Sequence, residues 1–426
     1  MNTTTIALRS QQGRYSVNKD HIIISEPQQC NIADIQEQAI AAGQILNGRN
    51  IALYGMAALI DDPENPGRQH LASNATLVNE GIIEIHLDKM VKAYKDQIKK
   101  NPKDENGIYR FIKCFAMAAG KNSMIVNNGV IKVYFDYDDN DLTPVYGETL
   151  LAGESSTIIN NGEIQLLGNG SYNTQARAIA VPADNMTIVN NGKISLDMLK
   201  ASTIRILATT GKGGSILNYG KIFVKSQGRI MTVARFADTN MINAGEIELV
   251  SVAKFIENKV SFLYQSYPLA CAFYEHFLPN ENPVPPIINS GKIKIHLEGS
   301  QESTEKAVAF GIYSELVGQE TQCHVFENTG EITLTKSGPF DFQIAEVGFN
   351  VQSAKDMPFD VEIRRWKTKK RDFNTTKDLF VCGSGRFDLS KAEITDFDGA
   401  ALPKDGAVIQ NEENLKRGDT FSVKLV

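Results

Sequence analysis

The chain has 426 residues, 42% of them apolar and 22% charged, a balance that supports a packed core and argues against disorder. A net charge of −6 argues against nucleic acid as a partner, since phosphate binding calls for a basic face. No run of about 18 apolar residues is present, so no transmembrane helix is expected.

The first twenty residues, MNTTTIALRSQQGRYSVNKD, lack a charged start followed by an apolar stretch and a small-residue cleavage site. The expectation is a cytoplasmic protein, or one exported by a signal-independent route. Residues 1–50 are expected to cap the N-terminal end of the fold, with a short amphipathic helix over Ile32–Ala42. Five cysteines (Cys30, Cys114, Cys271, Cys323 and Cys382) are scattered without a C-x-x-C pair. Buried free thiols fit that spacing better than disulfides or a zinc site.

From residue 79 onward one unit, N-x-G-x-I-x-(I/V/L), recurs. It begins at Asn79, Asn127, Asn160, Asn190, Asn218, Asn243, Asn289 and Asn328. The steps between copies vary upward from 25 residues, as expected for a constant coil with insertions of different length. Two alternate positions after each glycine are aliphatic in all eight copies, from Ile83 and Ile85 to Ile332 and Leu334. That is the period-2 pattern of a half-buried strand. The glycine supplies either a positive φ or a close backbone approach. Stacked coils would place the asparagines in a hydrogen-bonded ladder. Upstream segments such as RAIAVP from Arg177 and RIMTVAR from Arg229 predict a further strand per coil, giving three strands in each.

The fold class expected is therefore all-β: a right-handed parallel β-helix with three sheets, running over residues 51–340. Within the first long insertion, Leu87, Met90, Val91, Tyr94 and Ile98 fall at helical spacing and predict a short helix lying on the solenoid. A second insertion, about 250–286, is rich in aromatics, including Phe255, Phe262, Tyr264, Tyr267, Phe273 and Tyr274. These fill local core or form a sugar- or partner-binding ledge, and local core is the simpler reading. Residues 341–426 lack the repeat and are expected to form a C-terminal cap. The string I-x-N-x-G-x-I over residues 75–335 resembles the repeats of autotransporter passenger domains and filamentous-haemagglutinin-like proteins. That resemblance implies the β-helix fold and an adhesin-like role. No membrane-barrel region of the necessary length follows, so the resemblance implies no complete autotransporter.

Two rows on the outside of the coils bear on function. The residue after each glycine runs from Ile82 to Glu331 with mixed charge, the pattern of a solvated face with weak cross-strand ion pairs. The residue before each asparagine is aliphatic from Val78 to Ile288. Strict alternation would aim that row outward, as a surface for a docked insertion or a second copy. A bend at the asparagine that turns both residues inward is the favoured geometry.

No catalytic, cofactor or metal set is readable. The acidic stretch Asp136, Asp138, Asp139 and Asp141 reads as a solvated turn; as a calcium loop it lacks the sixth-position glycine. His86 and His296 read as stacked surface positions. The densest positive charge is RRWKTKKR, whose Arg364, Arg365, Trp366, Lys367, Lys369, Lys370 and Arg371 are the candidate contacts for an anionic glycan or acidic protein. The alternative is a polar hairpin with Trp366 packed inward. The functional expectation is a non-enzymatic binding or structural protein, adhesin- or effector-like, recognising a surface glycan or protein. A polysaccharide lyase or hydrolase and a self-assembling tailspike-like component are the rivals.

Overall fold

A computed structural model describes residues 8–10, 15–25, 51–61, 69–89, 91–92, 100, 112–137, 145–171, 174–253, 269–277, 284–299, 308–318, 323–337, 343–353, 360–367, 380–381, 386–388 and 394–395. The expected helix Ile32–Ala42, the aromatics Phe255 to Tyr267 and residues 368–371 lie outside these. The chain forms two compact units, Met1–Gly211 and Lys212–Val426. Each is built of parallel strands that climb coil by coil, and the fold is the right-handed parallel β-helix.

Among the described residues each coil presents three faces, and in two coils the exit and third segments run together as one strand, Lys193–Thr209 and Lys221–Arg235. An entry strand ends in the repeat asparagine, an exit strand follows the glycine, and a third strand closes the coil. In the first unit the entry strands Tyr15–Asn18, Thr76–Asn79, Met124–Asn127, Thr157–Asn160 and Met186–Asn190 pair in parallel, asparagine opposite asparagine. The exit strands pair likewise, with Ile83, Ile131, Ile164 and Ile194 in one row. The third strands Ile51–Asp61, Ile112–Ala118, Val145–Leu151 and Thr174–Val181 form the remaining face. Strand Lys193–Thr209 bends through both the exit and third faces, so hydrogen bonding joins them into one sheet. The expected three faces are present, with two of them fused at that corner.

Burial follows from alternation. Ile83, Ile85, Ile131, Val133, Ile164, Leu166, Ile194 and Leu196 are fully buried, and so are Leu77, Ile125, Ile158 and Ile188 from the entry strands. Each such side chain contributes about 1.5–3 kcal/mol. The asparagines also point inward and are buried. Their amides form a ladder from Asn18 through Asn79, Asn127 and Asn160 to Asn190, every rung 2.8 Å long. In the second unit the ladder runs from Asn218 through Asn243 and Asn289 to Asn328, and ends on the Lys367 carbonyl.

The repeat glycine is required by close approach, not by a positive φ. A Cβ on Gly129, Gly162 or Gly192 would come within 2.0 Å of the carbonyl oxygen of the glycine one coil below. The turns stack through those same groups: Val130 N–H donates to Gly81 O, and Glu163 N–H to Gly129 O, both at 2.9 Å.

One expectation is corrected. The residue before each asparagine does not turn inward. Val126, Ile159 and Val189 alternate with buried neighbours and stand half-exposed on the outer surface, as do Leu217, Ile242 and Ile288. The strands stay extended up to the asparagine, so alternation is never broken. Val78 and, before Asn328, Glu327 are the buried members of the row.

Both terminal segments contribute coil strands. Tyr15–Asn18 and His21–Ile24 add a rung below Asn79, with Asp20 where the later copies carry glycine. At the other end Gln343–Ser353 pairs with Val308–Gly318, and Asp360–Arg364 with Cys323–Asn328. The insertion after the first exit strand begins as a helical turn at 87–89 and 91–92, which buries Leu87 and Val91. A hairpin formed by Ile51–Asp61 and Gln69–Leu71 lays Leu71 over an outward apolar patch of Tyr54, Ala57, Phe115, Ala118 and Leu151.

Candidate functional site

The third face of each unit carries chemistry that the repeat does not. In the first unit Gly147 faces the core, because a Cβ there would meet the buried Phe135 ring at 2.2 Å. Its neighbours Tyr146 and Glu148 therefore face outward. Glu148, Arg177 and Arg205 lie directly opposite one another on three successive strands, and Tyr146, Gln175 and Thr203 form the adjacent row. The Arg177 guanidinium lies 5.7 Å from the Tyr146 ring centroid, donates to Glu148 Oε1, and donates to Gln175 Oε1 at 2.6 Å. Glu148 is almost fully buried, whereas Arg177 and Arg205 are half-exposed. Beneath this row Cys114 is a buried free thiol, and its burial and the Glu148 charge push its pKa far above the ordinary value.

In the second unit the third face is aromatic. Tyr274 and Tyr313 lie opposite each other in register, their rings 6.2 Å apart and nearly parallel. Phe310 stacks on Tyr313 at 5.1 Å, and Phe236 packs against both Tyr274 and His276. Gly348 makes room: a Cβ there would strike the Phe310 ring at 2.6 Å. Arg229 donates to the Tyr274 hydroxyl at 2.9 Å and holds its guanidinium 5.1 Å from that ring centroid. Arg229, Phe236, His276 and Tyr313 are half-exposed, so the strip presents ring faces and edges beside a cation. Of the aromatics in the second insertion, Phe273 and Tyr274 are both buried, Tyr274 with its ring stacked against half-exposed Tyr313.

Inside the same unit sits a charged cluster with no access to solvent. Glu275 Oε1 accepts from Arg235 Nε at 3.0 Å and Nη2 at 2.6 Å, and lies 3.1 Å from His324 Nδ1; Glu275 Oε2 accepts from Ser314 at 2.5 Å. Arg235 also donates to the carbonyls of Thr239 and Pro285. Burial alone would raise the Glu275 pKa. The Arg235 charge, His324 and the hydrogen bonds from His324 and Ser314 outweigh it and hold the carboxyl well below the usual range. The cluster ties together three third-face strands and an entry strand, which makes it structural.

The sequence-predicted residues are placed as follows. Trp366 is buried, and its Nε1 donates to Glu346 Oε2 at 2.6 Å, so its ring faces inward. Arg365 is exposed and paired with Glu327, and Arg364 and Lys367 are half-exposed. Lys369, Lys370 and Arg371 are outside the described residues. Asp136 is exposed and accepts from Asn169 at 2.7 Å, while Asp138, Asp139 and Asp141 are not described. His86 stacks on Tyr134 at 4.7 Å and bonds to Glu84, and His296 bonds to Thr335 and Ser337 on the neighbouring exit strand. Neither the Glu148–Arg177–Arg205 row nor the Arg229–Tyr274–Tyr313 strip was legible in the repeat, because both lie on the strand whose sequence is not repeated.

Residues 1–194 match a family described as the BigA third pectate lyase-like domain, so the first unit is similar to that family over the rungs from Asn18 to Asn190 and over Glu148 and Arg177. No curated protein and no solved structure matches the chain.

Proposed function

We propose that this chain is a non-enzymatic binding β-helix that recognises a glycan on a surface, and that its third face is the recognition surface. The observation that carries this reading is the aromatic strip of the second unit. Tyr313 and Phe236, both half-exposed, are held in place by the buried rings of Tyr274 and Phe310, with half-exposed Arg229 beside them. Aromatic faces pack against the C–H surfaces of sugars, and Tyr hydroxyls and arginine supply the polar contacts. The rings are pre-organised by the sheet, so little conformational entropy is lost on binding. An adhesin-like role is supported by the resemblance of the repeats to autotransporter passenger and filamentous-haemagglutinin-like proteins. Similarity to a pectate lyase-like domain supports a carbohydrate ligand.

The test is a glycan array probed with the full chain and with Tyr313→Ala and Arg229→Ala variants. Binding to a defined glycan class, lost in both variants while thermal unfolding is unchanged, is the expected result. A wild-type protein that binds no glycan, or variants that bind as well as wild type, would refute the reading. Incubating each hit with the protein and measuring chain length separates binding from cleavage; shortening of the glycan would replace the binding reading with the lyase or hydrolase one.

A further inference from the structure

The outer face of the entry strands in the first unit is flat, regular and nearly free of charge. Its side chains form three rows that rise one strand at a time, about 4.8 Å per step. The first row is Tyr15, Thr76, Met124, Thr157 and Thr187, and the second is Val17, Val78, Val126, Ile159 and Val189, both fixed by the parallel registers. Asn128, Asn161 and Asn191 form the third. Tyr15 is 66% and Met124 44% exposed, the three asparagines are exposed, and all of the aliphatic row but Val78 is half-exposed. Among the described residues the only charges on this face are Lys19 and Glu80, which extend the third row onto the two lowest strands and pair with each other at 3.8 Å. The exit face of the same coils, by contrast, carries Glu84, Lys132, Glu163 and Lys193. The asparagine row is bonded within itself: Asn161 donates to Asn128 at 2.9 Å and Asn191 to Asn161 at 2.8 Å. Burying it therefore costs less than burying unpaired amides.

We infer that this face is a self-association surface, and that what covers it is the same face of a second copy of the chain. Contiguous apolar exposure over a few hundred Å² marks an interaction site. Five strands about 4.8 Å apart, over a length of five residues, give about 400 Å² of face. Two copies bury about 800 Å², the weak end of protein interfaces, so the association is reversible and not obligate. Three features select a second copy over a partner of different chemistry. A two-fold axis sets the rows against their own kind, where like charges would repel, and the rows from Met124 to Asn191 carry none. Thr hydroxyls and Asn amides both donate and accept, so they pair with themselves. The chain has a net charge of −6, which keeps copies apart through its charged faces and leaves an uncharged one as the place where two can meet. Flat sheets pack about 10 Å apart with the side chains of the two faces interdigitated. The surface lies on entry strands and the proposed glycan surface on third strands, so self-association and glycan recognition stand or fall separately.

The experiment is sedimentation velocity of the full chain from about 1 to 500 μM, a range that brackets the affinity of an interface this small. The sedimentation coefficient should rise with concentration toward that of a dimer, with half-association on the order of 100 μM. Added salt should not weaken the association, because no ion pair holds the two faces together. Ile159→Lys and Val189→Lys each place like charges in the contact and should weaken it about tenfold or more. Both positions are half-exposed, and circular dichroism checks that the variants fold. Gln165→Lys adds the same charge to the half-exposed exit face and should leave association unchanged. A wild type that stays monomeric across the range would overturn the inference and leave the face to a different protein or to a segment of this chain. Association that Ile159→Lys does not weaken, or that Gln165→Lys weakens equally, would overturn it as well.

Discussion

Replacing Asn160 by alanine tests whether the buried amide ladder stabilises the coil. Asn160 Oδ1 accepts from Asn127 and its Nδ2 donates to Asn190, both at 2.8 Å and both away from solvent. The substitution deletes two hydrogen bonds worth about 1 kcal/mol each and takes a principal partner from one buried donor and one buried acceptor, at about 1–3 kcal/mol apiece. The total expected is about 4–8 kcal/mol. The neighbouring residue supplies an internal control. Asn161 makes the same kind of ladder, accepting from Asn191 at 2.8 Å and donating to Asn128 at 2.9 Å, but on the exposed side of the turn. Water replaces those bonds, so Asn161→Ala should cost about 0.5 kcal/mol or less. Urea unfolding followed by circular dichroism gives the difference. Amide hydrogen exchange in strands Thr157–Asn160 and Met186–Asn190 localises it, which matters because a stack of coils need not unfold in two states. Equal costs for the two substitutions would show that burial of the ladder contributes nothing.

Other consequences follow from the same geometry. Gly162→Ala drives a Cβ to within 2.0 Å of Gly129 O, so the variant should fail to stack its turn and be recovered mainly in insoluble form; normal yield and unfolding would contradict the close-approach reading. Ile159→Lys should cost less than about 1 kcal/mol and Ile158→Lys more than about 3 kcal/mol, because only the second places a charge in the core. Comparable unfolding midpoints for these two would return the row to an inward orientation. Glu275→Gln should destabilise the second unit by about 3–5 kcal/mol by leaving Arg235 charged and buried without its carboxylate. The Glu275 carboxyl is held below its unfolded value, so its stabilisation is fully present above about pH 4.3 and lost as pH falls below it. The urea midpoint of the wild type should therefore drop in acid more steeply than that of Glu275→Gln, and parallel profiles would exclude the pair as the cause.

What was legible in the sequence is what the repeat enforces. A motif in which asparagine, glycine and two aliphatics hold fixed places specifies an entry strand, a turn and an exit strand, and the paired registers follow from it. The rung at Asn18 was not read because Asp20 stands where glycine is expected. Among the described residues that turn is the lowest of its ladder, and the glycines above it each pack on the turn beneath. The inward bend expected before each asparagine came from weighing the cost of exposing an aliphatic row; extended backbone geometry decided otherwise. Charged residues inside apolar strands, such as Arg235 in TVAR and Glu275 in AFYEH, were the available signal for the buried cluster. Their partners lie 40 and 49 residues apart, which local pattern does not connect. The row of Glu148, Arg177 and Arg205 was hidden for the same reason. Trp366 sits in a strongly basic stretch, yet Glu346, one coil away, draws its indole inward.

Within each unit, each asparagine turn lies directly over its predecessor with parallel strands in register. Cysteines at Ile159 and Val189, opposite one another on the outer surface, test it directly through disulfide formation identified by mass spectrometry. Crosslinking of that pair should be rapid and nearly complete, and that of Ile159 with Thr187, two residues out of register, slight. Efficient crosslinking of the offset pair, or none of the matched pair in a folded protein, would contradict the stacked coil.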